Sequence, residues 1–514
     1  MAVKILMLAV FFAIMIAVGI YCRRHTTDVG GFVLGGRNVG PWLTAFAYGT
    51  SYFSAVIFVG YAGQFGWKFG IASTWIGIGN AVLGSLLAWI VLGRRTRLMT
   101  QHLHSSTMPD FFGRRYGSSA LKIVASVIVF IFLIPYTASL YNGLSRLFSM
   151  AFPGIDYTVC VVVMAVLTGV YVIAGGYMAT AINDFIQGII MIGGIVAVIA
   201  AVLSKNGGFM GSLEGLSRIS DPSVSSLDGV FNSFFGPDPL GLLFVVILTS
   251  LGTWGLPQMV QKFYAIESEK AISKGTVIST LFAVIVAGGC YFLGGFGRLF
   301  SDAVEHSASG AVVYDSIIPK MLEGLPDILI GIVIILVLSA SMSTLSSLVL
   351  ASSSTLTLDL IAEKKKNMSD KSKILCMRAF IVIFIAISAV IAVVQVKFNI
   401  IFIAQMMGIS WGALAGSFLA PFIYGLYFKR TSRASVWISF IFGTGIMVVN
   451  MLFKSAFPAI LQSPINCGVV AMVAGLVIVP VVSMFTKQCD RAAVDEIFTC
   501  YDKKVTVSAK KALD

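Results

Sequence analysis

Apolar stretches of about 20 residues, the length a helix needs to cross a bilayer core, recur along this chain between short polar connections. Thirteen segments are long enough: 4–22, 42–65, 70–92, 121–149, 157–175, 180–203, 239–260, 273–300, 326–360, 373–396, 399–428, 433–453 and 464–486. The pattern predicts an all-α polytopic membrane protein, with one integral membrane domain spanning 1–514. The first segment could pass for a secretory leader. It has only Lys4 before it, lacks a small-residue cleavage site and is followed by Arg23 and Arg24, so it is read as a true span with its N-terminus outside.

Two segments are unlike continuous helices. The second carries Tyr48, Gly49, Thr50, Ser51, Tyr52 and Ser54, polar and glycine-interrupted at mid-membrane depth; the seventh carries Thr249, Ser250, Gly252, Thr253, Trp254, Gly255 and Pro257. Such sequences free backbone carbonyls and amides, which need protein, water or ligand as partners. Interrupted helices at corresponding positions of two halves point to a transport site. Here they open two stretches of five spans, 42–203 and 239–428, and an odd number of spans makes the second stretch enter from the opposite face. The arrangement expected is therefore an inverted 5+5 repeat, with one extra span before it (4–22), two after it (433–486) and a cytoplasmic tail at 487–514.

Between Ser339 and Asp359 the ninth segment carries eleven hydroxyls, including Ser339, Ser341, Ser343, Thr344, Ser346 and Ser347. Side chains three and four apart share a helix face, so Ser343, Ser346 and Ser347 line up with Thr344 beside them. Two readings stand. Small residues and back-bonded hydroxyls pack helices together in membranes; neutral oxygens held close also replace the water ligands of a small hard cation.

Composition narrows the class. The chain is 57% hydrophobic and 11% charged, with mean hydropathy +0.92, against about 25% charged in soluble domains. A net charge of +13 would suggest nucleic acid for a soluble protein, but here the basic residues sit in short loops and set orientation, so no nucleic-acid partner is expected. Alternating the loops from an outside N-terminus puts 27 of the 36 basic residues inside and 9 outside, which favours thirteen spans with the C-terminus in the cytoplasm. The inner set includes Arg24, Arg37, Arg94, Arg95, Arg115, Lys262 and Lys366. The loops near 204–238 and 301–325 are candidate outer lids or ordinary connections. Seven scattered cysteines and four histidines show no metal spacing.

In this order, Gly175-Gly176-Tyr177 followed by Asn183-Asp184-Phe185-Ile186-Gln187, Gly255-Leu256-Pro257-Gln258 running to Lys262-Phe263, Ala340-Ser341-Met342-Ser343-Thr344-Leu345-Ser346-Ser347, and the Gly408/Gly412/Gly416 span ending in Lys429-Arg430 resemble the sodium:solute symporter family, carriers of proline, pantothenate, sialic acid and sugars. At Lys262 the family usually has arginine. The resemblance implies a LeuT-like fold working by alternating access in the cell membrane, with Na+ as coupling ion, no organic cofactor, and a small-molecule solute and the lipid bilayer as partners. It implies a principal sodium site built from the carbonyls of Thr50, Phe53 and Ala340 and the hydroxyls of Ser343 and Thr344. Relatives with a second sodium use a set matched here by Asp184, Ser343, Ser346 and Ser347; Asp184 is equally readable as a carboxylate stabilised by a helix N-terminus.

Solute-facing candidates are Tyr48, Ser51, Tyr52, Ser54, Tyr136, Thr249, Thr253 and Trp254, for each of which plain packing is the competing reading. Proline-carrying relatives have aspartate where this chain has Tyr52, and aromatics at Thr249 and Thr253. Arg146 either attracts an anionic solute or sits at the interface. The function expected is sodium-coupled symport of a small polar organic solute. The alternatives are a membrane-embedded lipid or prenyl transferase, which needs acidic or histidine clusters not found here, and a transporter-like sensor, which needs a signalling domain beyond the last span.

Overall fold

The computed structural model describes residues 2–23, 28–307, 310–365, 367–398 and 403–503. Arg24, Lys366, the first residues of the segment 399–428 and the tail beyond 503 lie outside the described residues. The main helices are α1 (Ala2–Arg23), α2 (Pro41–Tyr52), α3 (Ala62–Phe69), α4 (Arg94–His102), α5 (Met108–Arg115), α6 (Ser119–Ala151), α7 (Tyr157–Ser204), α8 (Pro239–Leu251) and α9 (Pro257–Ala265). They continue with α10 (Glu269–Ala283), α11 (Gly289–Gly294), α12 (Asp327–Thr355), α13 (Asp370–Phe398), α14 (Ile403–Tyr427), α15 (Arg433–Leu452), α16 (Pro464–Phe485) and α17 (Arg491–Phe498). Among the described residues there is no β-strand, only the isolated bridges Val39–Ile266 and His306–Val312. Several helices start by rule: proline opens α2, α8 and α16, and Asp238, Ser118 and Thr107 cap α8, α6 and α5 with side-chain oxygens.

Among the described residues ten helices are long and apolar enough to cross a membrane, or eleven with the bent pair α8–α9, whose halves meet at 48°. That is fewer than the thirteen expected, for a physical reason. The second segment is severed at Phe53 into a 12-residue helix and a continuation, and the stretch 56–102 runs on past Gly70, where φ is +63°. The fifth and sixth segments appear as one 48-residue helix, α7, bent at Gly176 with φ +57° and ψ −147°. Only glycine adopts that geometry without strain, and a Cβ there would lie 2.7 Å from the Phe32 carbonyl.

Helices pack at backbone distance where small residues permit it. A Cβ on Gly66 of α3 would fall 1.9 Å from the Gly294 carbonyl of α11, and one on Gly294 would fall 2.1 Å from the Ala62 carbonyl.

Contacts among the connections sort into two sets, one at each end of the bundle. At one end Arg37 donates to Ser105, Thr100 and Tyr264. Lys122 meets Asp110 at 3.1 Å and Glu363 at 2.9 Å, and Arg115 donates to the carbonyls of Gly425 and Phe428. Burial pulls the Arg37 guanidinium down to about 10, against the raising influence of Tyr264 and Asp110. At the other end Arg298 binds Asp221 at 2.9 Å and the Trp67 carbonyl at 2.7 Å, and Lys205 reaches the carbonyls of Met321 and Glu323. The two long loops thus share this end. Asp315 lies buried there, accepting from the Ile403 amide at 3.4 Å. Burial raises its carboxyl to about 6, only partly offset by Arg146 and that amide.

Residues 491–502 of the expected tail are folded against the first of these ends. Lys429 pairs with Asp495 of α17 at 2.7 Å, the Tyr501 hydroxyl donates to Leu426, and Arg95 lies 4.0 Å from the Tyr427 ring and 4.5 Å from the Tyr501 ring. Aromatic faces attract guanidinium groups, which explains why this short polar stretch is held.

Candidate functional site

The two interrupted segments break in the same way. Phe53 follows α2 with φ −88° and ψ 123°; Leu256, between α8 and α9, has φ −89° and ψ 123°. Extended residues cannot continue the helical hydrogen-bond ladder, so nearby carbonyls lose their partners. At the first break the deficit is met from α12. The Ser343 hydroxyl lies 2.9 Å from both the Thr50 and Ala340 carbonyls. The Thr344 hydroxyl lies 3.1 Å from Thr50, 3.2 Å from Phe53 and 3.0 Å from Ala340 carbonyl oxygens. Five oxygens from two distant segments therefore cluster, all on residues no more than 1% exposed. Each hydroxyl has one proton to share among its neighbours. The cluster is rich in acceptors and poor in donors, which suits a small hard cation. Thr50 contributes through its main chain, since its own hydroxyl donates to Phe46 at 2.9 Å. Ser341, on the same helix, fixes the restart of the broken segment by accepting from the Ala55 amide at 3.2 Å.

The remaining hydroxyls of the stripe are engaged differently. Ser346 donates to the Ser343 carbonyl of its own helix at 2.8 Å. Ser347 is 2.7 Å from the Ser51 hydroxyl and accepts from Lys262 Nζ at 3.0 Å. Lys262, on α9, lies 3.9 Å from Asp184 Oδ2 and 5.1 Å from the Tyr177 ring centre. Asp184 is completely buried, Lys262 is 2% exposed, and neither carboxylate oxygen makes a hydrogen bond of normal geometry. A buried carboxylate needs positive charge beside it, and among the described residues Lys262 is its ion-pair partner.

Of the solute-facing candidates, several are committed elsewhere. Tyr48 donates to Gly84 at 2.8 Å and packs on Trp89 and Phe263. Thr249 bonds back to Val245, Thr253 to Ser250 and Gly84, and the Trp254 indole to Leu83. Ser51 joins Ser347. The hydroxyls of Tyr52, Ser54 and Tyr136, by contrast, make no hydrogen bond of normal geometry, and neither does the Trp411 indole nitrogen. The Trp411 ring lies 6.1 Å from that of Tyr52 and 5.9 Å from that of Tyr136. These aromatics meet beside the first break, walled off from solvent, with the Ser54 hydroxyl and the Trp411 indole as the polar neighbours of the Tyr136 hydroxyl. Trp411, on α14, escaped the sequence reading. Its signal there was a lone tryptophan in a glycine-rich apolar span. Arg146 pairs with Glu305 at 3.6 Å near the bundle end, away from this group.

Residues 32–443 match the model of the sodium:solute symporter family. A sodium/proline symporter of Staphylococcus aureus is 28% identical over 456 residues, covering 86% of this chain and 85% of that protein. Among solved structures, a Na+-coupled sialic acid symporter in a substrate-bound outward-open state superposes with TM-score 0.71 at 18% identity, covering 95% and 99% of the two chains. Mhp1, a nucleobase-cation-symport-1 family transporter, gives TM-score 0.52 at 14% identity over 91% and 98%.

Proposed function

Since the chain belongs to the sodium:solute symporter family, a sodium-coupled carrier and not an enzyme, we propose that it couples sodium entry to uptake of a small polar organic solute at the broken α2 and α8–α9 helices. The observation that carries this reading is the cluster of Ser343 and Thr344 hydroxyls against the Thr50, Phe53 and Ala340 carbonyls. Sodium in that cluster would take over the carbonyls that the two hydroxyls now serve, and would tie α2 to α12. Binding the ion thereby favours the arrangement in which the solute pocket beside it is formed, which is what coupling requires. The solute is held by Tyr52, Ser54, Tyr136 and Trp411, buried neighbouring groups that make no hydrogen bond of normal geometry outside their own cluster. None of these four is charged, so they suit a neutral, zwitterionic or carboxylate-bearing molecule whose charge the sodium can balance.

The matching backbone angles at Phe53 and Leu256 support an inverted 5+5 repeat. The gathering of Arg37, Arg94, Arg95, Arg115 and the C-terminal segment at one end supports a cytoplasmic C-terminus, an outside N-terminus and placement in the cell membrane. The test is uptake into proteoliposomes of L-proline, sialic acid, other amino acids, monocarboxylates and hexoses under inward sodium or potassium gradients. At least one should accumulate with sodium and not with potassium; uptake indifferent to the cation would overturn the reading.

A further inference from the structure

The Asp184–Lys262–Ser347 group lies beside the sodium cluster and is not needed to build it. On the sodium-symport reading above, on which this inference rests, we propose that the Lys262 ammonium occupies the place a second sodium would take between Asp184 and Ser347, so that the carrier binds one sodium per cycle.

Three observations support this. The oxygens matched to a second ion are Asp184, Ser343, Ser346 and Ser347, and Lys262 Nζ already touches one of them at 3.0 Å and stands 3.9 Å from another. Ser346 and Ser343 both turn their hydroxyls to carbonyls of their own helix, Ser343 also to Thr50, and neither turns to the Asp184 side. Charge gives the third argument. Asp184 and Lys262 are fully or almost fully buried and their charges cancel; a second sodium would leave a net positive charge in a water-poor interior, where uncompensated charge is strongly disfavoured. The side-chain type matters too. Lysine presents a compact point charge on a flexible stem, able to sit among oxygens as an ion does. Arginine spreads its charge over a planar fork with five donors. The Tyr177 ring 5.1 Å from Nζ adds a cation-binding face to the same spot.

The test uses purified full-length protein and 22Na+ equilibrium binding, which needs no knowledge of the solute. Wild type should bind one sodium per chain, with a Hill coefficient near one, and lose it in the Ser343→Ala/Thr344→Ala double variant. Lys262→Met, similar in length but uncharged, should bind two, and Asp184→Asn/Lys262→Met should return to one. Wild type binding two would overturn the inference and leave the symport reading intact. So would a Lys262→Met protein that melts normally yet still binds one. Wild type binding no sodium would overturn the symport reading itself. If Lys262→Met does not fold, the wild-type count and Lys262→Gln decide the matter.

Discussion

Thr344→Ala removes one hydroxyl that faces three carbonyls at 3.0–3.2 Å. Without the ion these contacts share a single proton, so together they amount to one hydrogen bond worth about 1 kcal/mol net. With sodium in place the same oxygen would face a full charge, an interaction of about 1.5–3 kcal/mol. The difference, about 0.5–2 kcal/mol, is what sodium affinity loses, equivalent to a roughly 2- to 30-fold rise in half-saturation. Thr344→Ser keeps the oxygen and should stay near wild type. Thr50→Ala is the internal control: its side chain is turned to Phe46 and its candidate ligand is main chain, so its shift should stay within about twofold. Sodium titrations of the melting temperature measure all three without any solute. Folded Thr344→Ala and Ser343→Ala proteins with wild-type half-saturation would refute the assignment. A Thr50→Ala shift as large as that of Thr344→Ala would refute the distinction between backbone and side-chain ligands.

Tyr136→Phe and Trp411→Phe should each raise solute half-saturation by roughly 5- to 30-fold, as expected for one lost buried hydrogen bond of about 1–2 kcal/mol. Sodium half-saturation in the same uptake assay should not move; parallel shifts in both would instead mark a general packing defect. Asp315 gives a pH dependence with a definite sign. Its carboxyl is raised from 3.8 to about 6, so between these values the unfolded chain has released a proton the native protein still holds. Stability therefore falls as pH rises through that window, by about 3 kcal/mol in total. Asp315→Asn should flatten the fall in melting temperature between pH 4 and pH 7 relative to wild type, and an unchanged slope would exclude this group as its source. Arg95→Ala gives up two ring faces and a hydrogen bond to Leu426. It should lower stability by about 1–3 kcal/mol and open the 487–503 segment to protease; equal digestion rates in variant and wild type would contradict this.

The breaks at Phe53 and Leu256 were legible because glycine, proline and hydroxyl residues at membrane depth conflict with a lipid-facing helix, a conflict that needs no tertiary knowledge to detect. The Ser343/Thr344 face was legible from helical periodicity; its Thr50 and Phe53 partners came from family likeness, since no local rule names carbonyls 293 and 291 residues away. Lys262 was counted with the loop charges because it lies just beyond the apolar segment 239–260. Its placement inside the core depends on the bend between α8 and α9, which turns α9 toward Asp184. Tyr48 and Trp254 flank the breaks yet spend their donors on Gly84 and Leu83, carbonyls of a neighbouring segment. Trp411 shows the converse: an aromatic in an apolar span looks like filler until its ring is found beside those of Tyr52 and Tyr136 at the first break.

A positive group on a tether never leaves with the cargo. The Lys262 charge follows the protein as the site turns inward and follows it back on the return, so over a full turnover the membrane field does no net work on it. A sodium ion released inside would have delivered about 2.3 kcal/mol per 100 mV, roughly a 50-fold higher solute ratio at stall. The lysine therefore forgoes a voltage-driven gain in final level: paired with Asp184 it gives the field no net charge to move in either half of the cycle, and the end point is left to the single mobile ion.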